Sequence, residues 1–454
     1  MLLAINWAEF GMKAAQLLLS LSILIIFHEF GHYITAKWFK CRVEKFYLFF
    51  DPWFSLFKKK KGETEYGIGW LPLGGYVKIA GMIDESMDKE AMKLPPQPWE
   101  FRSKPAWQRL IIMIGGVTVN VLLAFLIYAM ILFVWGEDKI PVSSLKNGIW
   151  AQDQLMNDIG LQNGDKIIEI NGKKIEYFGE VNSKVLTGKN ILIERNGEQK
   201  LINIPVNLVE KLIENKRRKG LLSFRIPAIV GAYNAKDTLY GKQAGLKEND
   251  KIIAIDGASV LFYDEMYPLL QKKKSSSAEL TIVRNTDTLK LTSKVDKEGR
   301  VGIPYLTYEQ YGALGVIKIE HKDYGFFESF PAGVAKTFEK LGYYIDQFRL
   351  ILNPKTGAYK GIGGFGSMGS IFPSTWDWES FWNITALFSI ILAFMNLLPI
   401  PALDGGHVLF TLVEMITGRK PNEKFLEYAQ IVGMVILFSL LIYANGNDLF
   451  GWNR

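Results

Sequence analysis

The chain has 454 residues, enough for about three domains at roughly 150 residues each, with a formal net charge of +7, 22% charged and 49% hydrophobic residues. That composition excludes general disorder, and the charged share lies below the roughly 25% usual in soluble domains. A single cysteine, Cys41, excludes an internal disulfide framework and a cysteine-rich zinc module. The first element is an apolar run over 14–36, interrupted only by His28, Glu29 and His32. Crossing ~30 Å of hydrocarbon takes about 20 helical residues, so this run predicts a spanning helix. Charges lie inside it and no A-x-A-like cleavage site follows, which argues against a removed signal peptide. Basic residues follow at Lys37, Lys40, Arg42, Lys45 and Lys58 to Lys61, then a glycine-rich, β-prone stretch at 66–82. The uncharged run 110–135 predicts a second span. Within it, Gly115-Gly116-Val117-Thr118-Val119-Asn120 supplies small residues suited to close helix packing.

The middle of the chain is neither apolar nor disordered. Residues 160–172 read GLQNGDKIIEING and 245–257 read GLKENDKIIAIDG. Similarity at a fixed offset predicts two copies of one small domain, each with a Gly-Leu turn, a buried strand and a turn at Asn171-Gly172 or Asp256-Gly257. The pattern resembles the PDZ domain, and Gly160, Leu161, Gly245 and Leu246 match its peptide-groove motif. That resemblance implies a groove accepting an extended peptide as an added strand. In the second copy Asn249 stands where glycine is usual, a residue that also tolerates a left-handed backbone.

Beyond the repeats, apolar residues at spacings of three and four over 326–353 predict an amphipathic helix, lying on a membrane surface or packed on the repeats. Residues 361–366 fit G-x-G-x-x-G literally, but no strand-to-helix context accompanies them, so no dinucleotide site is expected. The uncharged runs 381–403 and 428–447 predict spans three and four. Basic residues in the two short loops, including Arg419, Lys420 and Lys424, place those loops in the cytoplasm. Both termini and the repeats then lie outside. No nucleic-acid recognition motif is present.

Three of the four histidines fall in two short motifs. His28-Glu29-Phe30-Gly31-His32 is an H-E-x-x-H, whose imidazoles four residues apart share one helical face and can meet one metal ion, with Glu29 beside them to polarise a water. A catalytic zinc takes three protein ligands and keeps one position open. The segment from Asn396 to His407, NLLPIPALDGGH, offers Asp404 as the third, since an ionisable group at membrane depth is functional by default.

An H-E-x-x-H inside one span and N-x-x-P-x-x-x-L-D-G in another resemble the site-2 protease family of intramembrane zinc metalloproteases, in its bacterial regulator of sigma-E protease type. The resemblance implies His28, His32 and Asp404 as ligands of one Zn2+ per chain and Glu29 as the catalytic general base. Asn396 would support substrate or the oxyanion, with His407 structural near the site and His321 a surface residue. It also implies a membrane-associated β-hairpin that pairs with extended substrate through Gly67, Gly69, Gly74 and Gly75. The expected architecture is a polytopic α-helical membrane protein: four transmembrane helices, a membrane-associated β-hairpin region and two small β-rich PDZ-like domains. Its parts are 1–135, including a cytoplasmic β-rich loop at 45–82; PDZ-like domains at 136–223 and 224–306; an amphipathic helix and Gly-rich linker at 307–375; and 376–454.

The implied activity is cleavage of transmembrane segments of single-span proteins in the bacterial cytoplasmic (inner) membrane, after an upstream site-1-type protease has trimmed them. Anti-sigma factors or signal-peptide remnants are the substrate class, and the lipid bilayer is the other partner. The PDZ-like pair would either grip a new C-terminus or exclude untrimmed substrates. The alternative from another class is a membrane-anchored PDZ scaffold with a non-catalytic metal site. A metal transporter would need several ionisable groups along a path, where the sequence offers one cluster.

Overall fold

The computed structural model describes residues 6–82, 95–215, 220–234 and 238–451. They fall into two compact units, one of the described residues within Met1–Gly136, Asp323–Phe348 and Gly361–Asn453, the other of those within Glu137–Lys322 and Arg349–Lys360.

In the first unit, helix α1 (Trp7–Trp38) is capped by Asn6, whose side chain accepts from the Glu9 N–H at 3.3 Å. Glu9 in its first turn and Lys37 in its last complement the helix dipole. Four strands follow: β1 (Val43–Leu48), β2 (Phe50–Lys61), β3 (Thr64–Leu71) and β4 (Tyr76–Ile79), in the spatial order β2-β3-β1-β4. Strand β1 pairs parallel with β3 and antiparallel with β4, so the sheet's edges are β2 and β4. Gly67 and Gly69 sit on the inner strand β3, Gly67 paired with both β1 and β2 and Gly69 with β2, whereas Gly74 and Gly75 lead into the edge strand β4. Helix α2 (Ala106–Trp135) then runs antiparallel against α1 and ends at Gly136, which takes φ +70°. The two helices approach so closely that a Cβ at Gly31 would stand 2.8 Å from Gly116 Cα. Glycines are what permit this crossing.

The second unit contains the repeat. Strands Lys166–Ile170, Lys173–Lys174, Asn190–Arg195 and Glu198–Asn203 make one sheet, and Lys251–Ile255, Ala258–Ser259, Ser277–Arg284 and Asp287–Lys294 make another with the same spatial order. Asn171 (φ 54°) and Asp256 (φ 48°) turn both hairpins, and Asn249 (φ 69°) takes the left-handed backbone that Gly164 (φ 95°) takes in the first copy. The correspondence extends to side chains. Asp165, 1% exposed, accepts two hydrogen bonds from Arg195 at 2.7 Å, and Asp250 accepts two from Arg284 at 2.7 Å. Each arginine also donates to a turn carbonyl, Gly160 or Gly245, at 2.7 Å. The strand Leu222–Phe224 returns to pair with Ile149–Ala151, so the boundary expected at 223/224 falls inside a strand that completes the first copy.

The chain then re-enters the first unit. Helix α3 (Phe326–Leu352) packs on α2: a Cβ at Gly333 would stand 2.6 Å from the Ala129 nitrogen, and Phe338 meets Phe125 at 5.7 Å between ring centres. Helix α4 (Trp378–Leu397) is capped by Asp377, which accepts from the Ser380 N–H at 3.1 Å. It stops six residues before the predicted end of span three. Leu398 is extended because the proline after it disfavours helical backbone. Beyond the break stands a separate helix, α5 (Asp404–Thr417), where the sequence predicted only the end of span three and a loop. Helix α6 (Glu423–Phe450) closes the unit. Helices α1, α2, α4 and α6 are long and apolar enough to cross a membrane.

Candidate metal centre

His28 and His32 lie one turn apart on α1, both buried, and face α2. Asp404 is the first residue of α5 and reaches the same point from the other end of the sequence. The loop before it is tightly determined. Gly405 and Gly406 press on the Leu397–Pro401 backbone, Ala402 adopts φ 87°, and a Cβ at Gly433 of α6 would collide with the Pro401 carbonyl. A non-glycine residue in that region costs on the order of 1–2 kcal/mol. The surrounding packing holds it there.

The ligand atoms form a nearly equilateral triangle. His28 Nε2 and His32 Nε2 each lie 3.2 Å from Asp404 Oδ2, and 3.3 Å from one another. Asp404 Oδ2 is buried and accepts a hydrogen bond from no described residue. Three lone-pair atoms crowded together with a stranded carboxylate oxygen are unfavourable unless a cation joins them. A tetrahedral zinc with bonds of roughly 2.0–2.1 Å has ligand–ligand edges of about 3.3 Å. The donor set therefore fits zinc in type, number and spacing.

Helix α2 supplies the outer layer through one stripe of residues four apart. The Ile112 carbonyl, which can only accept, lies 2.9 Å from His32 Nδ1 and fixes the proton there, leaving Nε2 with a lone pair. Gly116 is where the rings pass: a Cβ would stand 2.6 Å from His28 Cε1 and 2.8 Å from Nδ1. Asn120, fully buried, meets His28 Nδ1 at 3.2 Å through its carboxamide. Sequence reasoning read this stretch as packing alone. Its signal was the spacing of Gly116 and Asn120, which only becomes chemical once α2 is known to face the histidines.

The centre opens into a cavity of about 1110 Å³, also lined by Glu29, Asn396, His407 and Gln430. Small-molecule pockets run roughly 300–1,000 Å³, so this one is roomy enough for extended peptide. Asn396 Nδ2 lies 3.2 Å from His28 Nε2, on the ligand side of that ring. Gln430 of α6, 5% exposed, was not singled out in the sequence. One wall is the β4 edge with Gly74 and Gly75. There Tyr76 donates to Asp51 at 2.8 Å, and burial together with that carboxylate pushes its phenol well above the usual range, so it remains a donor. Another wall is the Gly-rich segment Ile362 to Phe365, tied to α6 by the Gly364 N–H donating to Asp448 at 2.9 Å and Asn447 donating to the Ile362 carbonyl at 2.9 Å. Of the other predicted residues, Gly160, Leu161, Gly245 and Leu246 form the repeat turns of the second unit, and His321 is exposed and pairs with Asp138 at 2.6 Å.

Comparison with known proteins agrees with this geometry. The profile described as "Peptidase family M50" matches residues 16–440. A protein of Treponema pallidum is 28% identical, with 94% of this chain and 97% of the relative aligned. A protein of Xylella fastidiosa is 27% identical over 96% of this chain and 98% of its own length. Both bear the description "Putative zinc metalloprotease".

Proposed function

The chain belongs to peptidase family M50, the site-2 proteases, and is a zinc metalloendopeptidase with four helices long and apolar enough to cross a membrane; on that premise we propose that it is a membrane protein that cleaves peptide bonds within the transmembrane segments of single-span proteins. The observation that carries this reading is the His28–His32–Asp404 triangle, built on helices of membrane-spanning length and opening into a cavity that Glu29 shares.

His28, His32 and Asp404 would hold the zinc, which would supply a Lewis acid for the scissile carbonyl and for the attacking water. Glu29 takes the proton from that water and hands it to the leaving amine nitrogen as the C–N bond breaks. Asn396, whose amide lies beside His28 Nε2, supports the developing oxyanion or the substrate backbone. A helical substrate must unwind before its carbonyls are accessible, and in lipid each freed backbone group needs a new partner. The β4 edge, entered through Gly74 and Gly75, offers them by strand addition.

The substrates are proteins already shortened by an upstream site-1-type protease, such as anti-sigma factors or signal-peptide remnants, in regulated intramembrane proteolysis. The setting is the bacterial inner membrane, with the termini and the repeats outside. The two repeats, read as PDZ-like domains, grip the new C-terminus or exclude substrates that still carry an outer domain. Glu29→Gln tests the chemistry: zinc content should stay at the wild-type level while cleavage of a reporter span is abolished. Unchanged cleavage removes Glu29 from the mechanism, and a zinc-loaded wild type that cuts no reporter span favours a scaffold with a non-catalytic metal site.

A further inference from the structure

We infer that Asn120 is a positioning residue for the metal centre: its carboxamide oxygen accepts a hydrogen bond from His28 Nδ1–H and so directs the Nε2 lone pair at the metal. This rests on the reading of His28 as a zinc ligand and extends it to a residue on another helix.

A neutral imidazole carries one proton, and whichever nitrogen holds it cannot bind a metal. His32 has its Nδ1 proton fixed by the Ile112 carbonyl at 2.9 Å. His28 has no backbone carbonyl in that role among its described partners. What meets its Nδ1 is the Asn120 carboxamide, at 3.2 Å, on a side chain with no solvent exposure. A carboxamide presents an NH2 on one side and a carbonyl oxygen on the other, nearly equal in shape. With Nδ2 toward the ring, His28 would have to protonate at Nε2, facing Asp404 and His32 where the metal belongs. Asn120 Oδ1 would also be stranded, being buried and without any partner among the described residues in that orientation. Turning the amide by half a revolution places Oδ1 against Nδ1–H and leaves Nε2 bare.

The pattern is the same on both histidines. Ile112 and Asn120 lie eight residues apart on α2, with Gly116 midway to let the rings approach, and α1 runs antiparallel with His32 opposite Ile112 and His28 opposite Asn120. One ring takes its acceptor from the backbone and the other from a side chain. Such outer partners fix ring orientation and raise ligand basicity, and their loss costs about 10–100-fold in metal affinity.

The test uses the full chain in detergent or nanodiscs, with zinc affinity read by chelator competition. Asn120→Leu keeps the shape and removes the acceptor; it should weaken zinc binding about 10–100-fold. Asn120→Asp keeps an acceptor and should restore binding. Packing alone would leave both variants alike. On the zinc-loaded wild type, with 15N-labelled histidine and only four histidines to assign, the His28 Nδ1–H should appear as a downfield, slowly exchanging proton; this readout requires no variant to fold. Wild-type affinity in Asn120→Leu, no rescue by Asp, or absence of a protected Nδ1–H at His28 overturns the proposal. His28→Ala measured alongside separates the two layers. If it loses zinc while Asn120→Leu does not, only the positioning role fails. If it binds zinc normally, the ligand assignment fails with it.

Discussion

Gly116→Ala should have opposite effects on the helix and on the metal. In an apolar helix, alanine is favoured over glycine by about 1 kcal/mol, while overpacking a close crossing costs about 1–3 kcal/mol, so the apo protein should lose no more than about 2 kcal/mol. The added methyl, however, would stand 2.6 Å from His28 Cε1 and 2.8 Å from Nδ1, where ordinary contact begins near 3.4 Å. His32 Nε2 stands nearer still, so both rings, or all of α1, must give by 0.8 Å or more. Functional metal–ligand distances hold to about 0.2 Å. Displacing a ligand by several times that tolerance should cost at least the ~10–100-fold seen when an outer partner is removed, or about 1.4–2.8 kcal/mol at 1.4 kcal/mol per decade. The assay is zinc affinity by chelator competition, paired with thermal unfolding with and without chelator. Wild-type affinity in Gly116→Ala would refute the placement of the two rings against α2. Lost affinity accompanied by an apo protein destabilised well beyond about 2 kcal/mol would refute the claim that the defect is local to the centre.

The repeat unit gives two further predictions. Arg195→Ala leaves Asp165 buried without its countercharge and should destabilise the first copy by about 3–5 kcal/mol, with Arg284→Ala doing the same to the second. Breaking the exposed Lys290–Glu279 pair should cost about 0–1 kcal/mol; urea unfolding followed by hydrogen exchange separates the three, and equal effects would refute the burial argument. Asp256 accepts from the Glu279 N–H at 3.0 Å and has the Lys273 ammonium beside it, and both hold its carboxyl below the usual range. A depressed folded pKa means the contribution is complete above the unfolded value of about 3.9 and is lost as pH falls through the folded one. Exchange at the Glu279 amide should therefore quicken below about pH 4, a step that Asp256→Asn removes.

Length and hydropathy were enough to read the spans, because about 20 uncharged residues have few other solutions in a chain of this kind. His28 and His32 were legible for a related reason: a spacing of four on a helix fixes a shared face without any tertiary knowledge. Asp404 was legible by residue type but not by setting. The apolar run to 403 hid a helix break, since Pro399 and Pro401 do not interrupt hydropathy while they do interrupt hydrogen bonding. The place of Gly67 and Gly69 on an inner strand was illegible for a different reason. Strand order depends on the parallel pairing of β1 with β3, a long-range register that alternation within each strand does not encode. Asn120 was named yet read as packing, because its meaning depends on which side of α2 the crossing at Gly31 and Gly115 turns toward the histidines.

The ligands come from α1 and α5, with α2 backing both rings and α6 pinning the 397–403 loop through Gly433. A bound ion would rivet the two ends of the polypeptide together, and any shear between α1 and α5 would pull the rivet apart. The parts of the cavity wall that donate nothing to the ion are free of that constraint. The stretch from Ile362 to Phe365, moored to the far end of α6 by Asp448 and Asn447, is one such wall.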